Sequence, residues 1–311
     1  MILPSNIRQK IDEIIASNKQ VNLKNVQKNL TEKYKTKSGQ GKSLIESKND
    51  SLLYSISRMP ATFSVINSLL NQLKNQGLLG DINSAFDVGS GTGAGYFALK
   101  EFDEKIKVSL FERDIFMTEI FDMFKTGEKV QKFDLVKDEI SQKADLVLTS
   151  YVLSELSSEQ RKSALKKLLD MTENYLLIID TGTPKVWQEM MELKMLAKSL
   201  DANILAPCMC DECLLKDDYC QFFARVERSS MHKMVKDATL SYEDEKYFYL
   251  LISKKEKLSL DKNRVIRRPV IKTNLVGLVL CSKNGVEKHD FSKKNKENFK
   301  LAKKSKINDL I

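Results

Sequence analysis

The sequence predicts an α/β protein with a doubly wound, mainly parallel sheet. Two observations predict it: short apolar segments alternate with longer helical ones, and a glycine-rich loop stands between a predicted strand and a predicted helix. Buried strands are predicted at 85–88, 108–111, 146–149 and 176–180. Helix-length segments such as 157–171 follow them, and this alternation is typical of parallel strands joined by helical crossovers.

Changes in composition divide the chain into four regions. Residues 1–80 are predicted to be helical and basic, with a polar loop or weak helix at 33–50. Residues 81–200 hold the sheet. Residues 201–290 hold a cysteine-rich module with closing strands at 247–253 and 274–280, and residues 291–311 form a lysine-rich tail.

A phosphate-loop motif is nearly present in the first region, at Gly39-Gln-Gly41-Lys42-Ser43. The motif requires a glycine five residues before Gly41, where this chain has Thr36, and no apolar strand precedes the segment. No ATP site is therefore predicted there.

Length and composition are those of an ordinary globular protein. The chain has 311 residues, and 42% of them are hydrophobic. No apolar run approaches the ~20 residues that cross a bilayer, and residues 1–10 lack the apolar core of a signal peptide. We therefore expect a cytoplasmic protein with no membrane partner. A bacterial cytosol fits best, and an organelle matrix stays open.

Positive charge is concentrated near the C-terminus. The formal net charge is +9, and residues 282–311 contain nine lysines against four acids. Arg264, Arg267 and Arg268 add a second basic stretch. Lysine and arginine displace counterions from phosphate backbones, so this pattern favours RNA as a partner. The alternative is a tail that only keeps the chain in solution.

The glycine-rich loop is the strongest indication of a ligand site. It follows a predicted strand and opens a predicted helix, where glycines let a ligand approach bare backbone near a helix N-terminus. A dinucleotide site would use Gly89, Gly91 and Ala94. An S-adenosylmethionine site would use an acid and alternate glycines, which here are Asp87, Gly89, Gly91 and Gly93.

Charge favours S-adenosylmethionine, because Asp87 would repel a pyrophosphate but attract a sulfonium or ammonium group. Glu112 ends the next strand, where a carboxylate can accept both ribose hydroxyls. Asp134 is predicted near the adenine at the third strand, and Tyr151 at the cofactor edge of the fourth strand. These residues predict a Rossmann-like class I methyltransferase sheet.

The cysteines indicate a metal site. Four of the five lie within thirteen residues, at Cys208, Cys210, Cys213 and Cys220, and Cys281 follows alone. Thiolates this close usually hold zinc or an iron–sulfur cluster, and an odd count in a chain that is not secreted argues against disulfides. Their spacing leaves both metals open. The alternative is a set of small buried hydrophobic residues.

No catalytic residue can be named from the sequence. Many amino methylases carry an Asn/Asp-Pro-Pro-aromatic motif where this chain has Ser150-Tyr151-Val152-Leu153. A cytosine-C5 methylase needs a nucleophilic cysteine, and the cysteines here are expected on a metal. Two alternatives stay open: a non-catalytic binding protein on this fold, and a nicotinamide-dependent oxidoreductase with an iron–sulfur centre.

Several strings, in the same order, resemble one family between about residue 50 and about residue 290. They are Arg58-Met59-Pro60-Ala61-Thr62, Tyr151-Val-Leu-Ser-Glu155-Leu, Ala206-Pro207-Cys208 and Arg225-Val-Glu-Arg228-Ser229. The chain resembles the methyltransferase-like family of the small ribosomal subunit, known from mitochondria and bacteria. The resemblance implies a small-subunit assembly factor that binds S-adenosylmethionine and 16S-type rRNA and acts as an rRNA methyltransferase. No DNA partner is expected.

The resemblance also implies a [4Fe–4S] cluster, with zinc as the alternative metal. Its four ligands carry over to Cys208, Cys213, Cys220 and Cys281. The chain has Met209-Cys210 where the family has Pro-His, so Cys210 could replace one of the ligands. It also has Asp180-Thr181 where the family tends to have Glu-Pro, and no catalytic role is assigned to that loop.

Overall fold

The structure is a computed structural model that describes residues 3–17, 23–37, 39–41, 43–213, 215, 218–255 and 262–311. Its helices are α1 Ser5–Ser17, α2 Leu23–Lys37, α3 Lys48–Ser57, α4 Met59–Asn75, α5 Ala94–Phe102, α6 Ile115–Asp122, α7 Ser158–Asp170, α8 Pro184–Ser199, α9 Ser230–Lys236 and α10 Lys296–Lys304. Across the described ranges, no helix is both long enough and apolar enough to span a lipid bilayer.

Twelve strands are present in the described residues. They are β1 Ser84–Val88, β2 Lys107–Glu112, β3 Val130–Lys132, β4 Ala144–Ser150, β5 Thr172–Thr181, β6 Asn203–Ala206, β7 Phe222–Glu227, β8 Tyr242–Ser253, β9 Arg264–Val265, β10 Val270–Ile271, β11 Leu275–Ser282 and β12 Gly285–Ser292. A single 3-10 turn covers Leu153–Glu155, directly after β4.

The central sheet has the strand order β3-β2-β1-β4-β5-β8-β6, and β7 also pairs with β8. Strands β1 to β5 pair with one another in parallel, whereas β8 is antiparallel to β5, β6 and β7. This is the predicted α/β sheet of the Rossmann-like methyltransferase type. The chain order reverses between β1 and β4, and this reversal opens a crevice at the carboxyl ends of these strands.

Burial explains why the central strands form where the sequence predicts them. Leu146, Leu148 and Leu176 are fully buried, as are Leu177 and Ile178. Strands that are covered on both faces by helices have continuous apolar sequences, and these strands have such sequences. The start of α7 is fixed by a capping box between Ser157 and Gln160.

Helices α1 to α4 account for the predicted helical N-terminal region. Helix α3 is buried on most sides and contacts α2, α4, α6 and α9. Helix α4 begins at Met59-Pro60, where a proline in the first turn costs no hydrogen bond, and it packs against α5 and β7. The segment between α2 and α3 is the connection that the polar stretch 33–50 predicts.

The C-terminal residues form a second sheet that the sequence does not predict as separate. Its strand order is β10-β11-β12, with β9 also paired to β11, and all pairs are antiparallel. Helix α10 packs on β11 and β12. We call residues 262–311 the C-terminal unit; it has its own small core of Val265, Val276, Leu278, Leu280 and Ala302.

Two predictions about this part of the chain differ from the structure. The segment 274–280 lies in β11 of the second sheet, not in a module with the strand at 247–253, which is part of β8 in the central sheet. The segment 291–311 is folded: β12 reaches Ser292 and α10 follows. Phe291, Phe299 and Ala302 pack on the second core, and the many lysines around them hide this pattern in the sequence.

Candidate cofactor site and cysteine segment

The glycine-rich loop joins β1 to α5 at the reversal of strand order. Gly89, Gly91 and Gly93 have φ values of 75°, 54° and 91°, in the left-handed region that glycine adopts without strain. A Cβ at Gly89 would overlap Val152, and one at Gly93 would overlap Phe121. A Cβ at Gly91 would meet nothing within 4 Å, so the Gly91 backbone faces open space where a ligand can approach.

Glu112 lies at the carboxyl end of β2, beside this open space. Its Oε2 accepts a hydrogen bond of 2.8 Å from the Gly91 N–H, and its Oε1 accepts bonds of 2.8 Å from the N–H groups of Arg113 and Asp114. Burial raises the pKa of Glu112 against the effect of these donors. A carboxylate has about four acceptor positions, so one position stays available for a hydroxyl group in the cavity.

Asp87 lies behind the loop and does not line the cavity. Its carboxylate is 1% exposed, and a Cβ on Gly95 would overlap it. Burial raises the pKa of Asp87 to about 7, opposed in part by the Tyr96 backbone amide. The sequence predicts Asp87 at the loop entrance facing a cationic ligand. The structure instead places it at the N-terminus of α5, where a negative charge offsets the helix dipole.

A cavity extends over the loop from β2 to β4. The predicted residues Gly89, Gly91, Glu112, Asp134 and Tyr151 all line it, whereas Gly93 and Asp87 do not. At the end near Asp134, the wall is formed by the apolar side chains of Met117, Phe133 and Leu135. The cavity wall therefore has an apolar end, a carboxylate and an exposed glycine backbone.

Tyr151 closes the other end of this cavity in a strained conformation. Its φ is 59°, and its N–H donates to the Ile179 carbonyl at 2.8 Å. A non-glycine residue in this region costs on the order of 1–3 kcal/mol, and such residues concentrate at functional sites. The Tyr151 hydroxyl is buried without a hydrogen-bond partner among the described residues, as are the hydroxyls of Ser90 and Thr92.

The N-terminal region covers the mouth of the cavity, which sequence reasoning did not predict. Tyr34, Tyr54 and the segment 43–45 all line it. The Gly41 N–H donates to the Glu155 carbonyl at 2.9 Å, and Ser43 Oγ donates to Asp114 Oδ2 at 2.9 Å. We call residues 39–47 the cover segment. It contains the near phosphate-loop motif, of which Lys42 lies outside the described residues.

A second cavity adjoins the first and shares Tyr34, Tyr54 and Tyr151 with it. It lies between α2, α3 and α8. Its wall includes Arg58, whose guanidinium lies 3.0 Å from a Glu245 carboxylate oxygen and 5.3 Å from the centre of the Tyr151 ring. In the sequence, Arg58 stood out only as part of a string shared with the family, and nothing there indicated that it lines a cavity.

Two carboxyl groups near the shared wall have raised pKa values. Loss of solvent raises the pKa of Glu155 to about 8, opposed by Arg113. Burial also raises the pKa of Asp180, whose oxygens accept hydrogen bonds from the Ser154 and Thr181 backbone amides. Perturbed carboxyl groups beside a cavity are typical of functional sites.

The cysteine segment is the connection between β6 and β7, and Cys281 lies near the end of β11. The structure brings Cys281 back to this segment, because the Cys210 and Cys281 thiols form a hydrogen bond that lowers the pKa of Cys281 and raises that of Cys210. Burial raises the pKa of Cys208 to about 11 and that of Cys220 to about 12.

The predicted ligand set does not converge on one point. Across the described ranges, which include all five cysteines, no three or more Cys, His, Asp or Glu side chains are arranged to hold a metal ion. Lys194 lies in the same place, with its side chain 2% exposed and its Nζ donating to the Cys210 carbonyl at 3.0 Å. The thiols are therefore neighbours, but the structure does not contain the cysteine-rich metal module that the sequence predicts.

Sequence comparison identifies a family. The profile described as mitochondrial small ribosomal subunit Rsm22 matches residues 48–311, which is most of the chain. No curated protein gives a significant match to the sequence.

Solved structures with a similar fold include several methyltransferases. Magnesium protoporphyrin IX methyltransferase from Synechocystis PCC 6803, with bound SAM, has 11% identity and a TM-score of 0.44, over 74% of this chain and 97% of that one. The N-methyltransferase NodS from Bradyrhizobium japonicum has 9% identity and a TM-score of 0.41, over 61% and 86%. A SAM-dependent methyltransferase from Aquifex aeolicus has 18% identity and a TM-score of 0.38, over 62% and 98%.

Proposed function

This chain belongs to the Rsm22 family of mitochondrial small ribosomal subunit proteins, and from this premise we propose that it binds S-adenosylmethionine and acts on the small ribosomal subunit. The observation that carries the cofactor proposal is the contact between Glu112 and the Gly91 N–H at the edge of the first cavity. One ribose hydroxyl would bind the remaining acceptor position of Glu112, and the adenine would lie between Met117, Phe133 and Leu135. The amino-acid end would reach the loop and Tyr151.

The position of Asp87 favours this cofactor over a dinucleotide. A pyrophosphate binds where the N-terminus of the helix is free to face it. Here the Asp87 carboxylate already occupies the N-terminus of α5, and a second anion beside it would be repelled. A ligand with a cationic sulfonium and ammonium meets no such repulsion.

Calorimetric titration tests the cofactor proposal. We expect S-adenosylmethionine and S-adenosylhomocysteine to bind and NADH not to bind. Glu112→Gln should weaken binding by about tenfold to a hundredfold, because it removes charge-assisted hydrogen bonds. Glu128→Gln, at an exposed residue outside the cavity, serves as the control. Preferential binding of NADH would instead support an oxidoreductase.

The second cavity provides a place for a methyl acceptor. It meets the first at Tyr151, so a group that enters it can approach the cofactor without passing through the loop. We infer that the acceptor is a nucleotide of the small-subunit rRNA, since the family is named for that subunit. No residue is assigned as catalytic. Raised pKa values at Glu155 and Asp180 make these two carboxyl groups the first to test.

Transfer of a labelled methyl group decides between an enzyme and a non-catalytic binding protein. Small subunits from cells lacking the protein would be incubated with it and methyl-labelled S-adenosylmethionine. Label in the rRNA, lost with Glu112→Gln, would establish a methyltransferase. Cofactor binding and subunit association without any label would establish the non-catalytic alternative. The cytoplasmic location remains a prediction, and the family is named for the mitochondrial ribosome, so an organelle matrix stays open.

A thiolate metal centre is a separate proposal for the cysteine segment. The resemblance implies [4Fe–4S] on Cys208, Cys213, Cys220 and Cys281, and zinc is the alternative. Two features support it: the thiols lie together, and the buried Lys194 has no carboxylate partner among the described residues. A buried ammonium without a counter-charge is costly, and metal-bound thiolates would supply that charge. Against it stands the lack of a converging ligand set, so no step of the reaction is assigned to a metal.

Metal analysis after anaerobic purification tests this centre. About four irons and four sulfides per chain with a brown colour would support the cluster; one zinc without colour would support zinc. Cys220→Ser should lose the metal, unfold the C-terminal half and abolish subunit association while the glycine loop stays folded. Comparing Cys210→Ser with Cys213→Ser identifies which of the two is a ligand. A metal-free, fully folded protein would exclude the centre.

A further inference from the structure

We infer that a groove between α4 and the C-terminal unit binds single-stranded RNA, through phosphate contacts from α10 and base contacts from the groove. This inference rests on the proposed rRNA partner and names the surface that holds it. The groove shares no lining residue with either of the two cavities described above. It is therefore a separate binding surface.

Charge is the first observation. Residues 262–311 contain fourteen lysines and arginines against four acids, a net charge of +10. The whole chain carries +9, so the remaining 261 residues sum to −1. The entire positive excess of the protein therefore belongs to the C-terminal unit, and this unit is folded onto the protein, which a solubilising tail need not be.

The lysines near the end of this unit do not stabilise the fold through ion pairs. Within the described residues, none of the nine lysines between 283 and 306 forms an ion pair. Elsewhere the basic side chains are often paired: Arg228 and Lys236 both contact Glu243, and Arg225 contacts Asp244. Arg267 and Arg268 of the C-terminal unit are also paired, but its lysines between 283 and 306 can bind a partner.

Helix α10 arranges three of these lysines in a row. Lys296, Lys300 and Lys304 are exposed and follow one another at a spacing of four residues, which places them on one face. Like charges at this spacing destabilise a helix. Lys304 in the last turn interacts favourably with the helix dipole, but Lys296 in the first turn opposes it. Folding does not favour this row, whereas a phosphate backbone along it would remove the repulsion.

The row leads into the groove, because Lys304 is also part of its wall. Lys306 and the half-exposed Leu301 lie beside it, and Asn71 and Asn75 from α4 form the opposite side. Gln72 and Gln76 also lie there, but their side chains are engaged with the chain end near Asn308. Asn71 and Asn75 are exposed. The Asn71 Nδ2 already donates to Asn67, so Asn71 offers its side-chain oxygen, whereas the Asn75 amide can both donate to and accept from base edges.

This combination fits a single strand better than a duplex or a lipid surface. In a single strand the base edges and faces are accessible to amide and apolar side chains, whereas an A-form duplex presents mainly its backbone and shallow groove. A flat bilayer would contact a protruding surface, and the amides here lie in a recess. The ligand class is therefore a single-stranded RNA segment, with its phosphates along α10.

Fluorescence anisotropy with a labelled twelve-nucleotide single-stranded RNA tests the groove. The variant Lys296→Gln/Lys300→Gln/Lys304→Gln should bind at least tenfold more weakly at 50 mM salt. Its plot of log affinity against log salt should be shallower by about 2, since each lost phosphate contact on a single strand removes about 0.7. The control Lys105→Gln/Lys143→Gln/Lys166→Gln makes the same change in net charge on exposed lysines elsewhere, and it should bind as the unmodified protein does.

A second variant tests the base contacts. Asn75→Ala changes an exposed residue and leaves the net charge unchanged, so it should fold normally and weaken RNA binding by severalfold through the loss of base contacts alone. Equal RNA affinities of the α10 lysine variant and the control lysine variant would contradict RNA binding along α10 and the groove. Tighter binding to phosphatidylserine vesicles than to RNA would overturn it in favour of a membrane.

Subunit association separates this proposal from the one on which it rests. If the unmodified protein sediments with small subunits and all variants bind RNA alike, the groove is wrong and the partner stands. If the unmodified protein neither sediments with subunits nor binds RNA, the proposed partner itself is wrong. Cofactor titration of every variant shows whether the first cavity is intact.

Discussion

At the scale of single residues, the cofactor site depends on where one methyl group can be tolerated. Gly89 and Gly93 face neighbouring side chains, and Gly95 faces the Asp87 carboxylate, so these three glycines serve close packing. Gly91 alone of the four faces open space, beside the Glu112 carboxylate. The loop thus separates residues that build the fold from one that admits the ligand.

Gly91→Ala should abolish cofactor binding and lower the free energy of unfolding by only about 1 kcal/mol. The strain comes from its left-handed φ, and the added methyl enters the cavity without meeting protein atoms. Thermal unfolding and calorimetric titration measure the two effects separately.

Gly77→Ala is the matched control. Gly77 follows α4, has a φ of 72° and also has nothing within 4 Å of an added Cβ. It should lose the same stability and bind the cofactor normally. If both variants bind normally, the ligand does not lie against Gly91.

At the scale of elements, one buried arginine joins the two sheets. Arg264 begins β9 and is 0% exposed. Its guanidinium donates to the Pro207 carbonyl at 2.8 Å, to Gln76 Oε1 at 3.0 Å and to Asn308 Oδ1 at 2.9 Å. It thereby connects the C-terminal unit to the end of α4 and to the segment that leads into the cysteines.

Arg264→Gln should destabilise the protein by about 3–5 kcal/mol, because it leaves several buried acceptors without a donor. We expect the C-terminal unit to unfold at a lower temperature than the central sheet, seen as a separate first transition in calorimetry. Arg268→Gln is the control: Arg268 is exposed and pairs with Asp244 at 2.8 Å, a surface contact worth at most about 1 kcal/mol. Equal effects of the two variants would contradict this role of Arg264.

At the scale of the whole molecule, buried carboxyl groups surround the cofactor cavity. Burial raises the pKa of Asp87 to about 7, and loss of solvent raises that of Glu155 to about 8; the pKa values of Glu112 and Asp180 are also raised. Each of these groups binds a proton more readily in the folded state than in the unfolded state. Their effect is to stabilise the folded protein at low pH and to destabilise it as they ionise.

The ligand-free protein should therefore become less stable as the pH rises from about 4 to about 8. Urea unfolding at pH 5.5 and pH 8 measures this, and the free energy of unfolding should fall by an amount on the order of 1–3 kcal/mol. Asp87→Asn should flatten the part of the profile below pH 7, and Glu155→Gln the part near pH 8. A free energy of unfolding that stays constant or rises over this range would contradict the assignment.

Much of the fold and part of the site could be predicted from local patterns. The strands that became β1, β2, β4 and β5 were predictable because strands buried on both faces are apolar throughout. Glu112 and Asp134 were predictable because the ends of successive parallel strands meet at one edge. Tyr34, Tyr54 and the cover segment were not predictable, since they reach the cavity from a region far away in the chain.

The sheet, the glycine-rich loop and the family were predictable, because the periodicity of apolar residues and the glycine spacing are local properties of the chain. The directions in which side chains point became known from the packed structure. It placed Asp87 behind the loop, brought Cys281 to Cys210 without a converging set of ligands, and folded a lysine-rich segment into a helix beside α4. These outcomes depend on packing between residues distant in sequence, which composition and spacing do not encode.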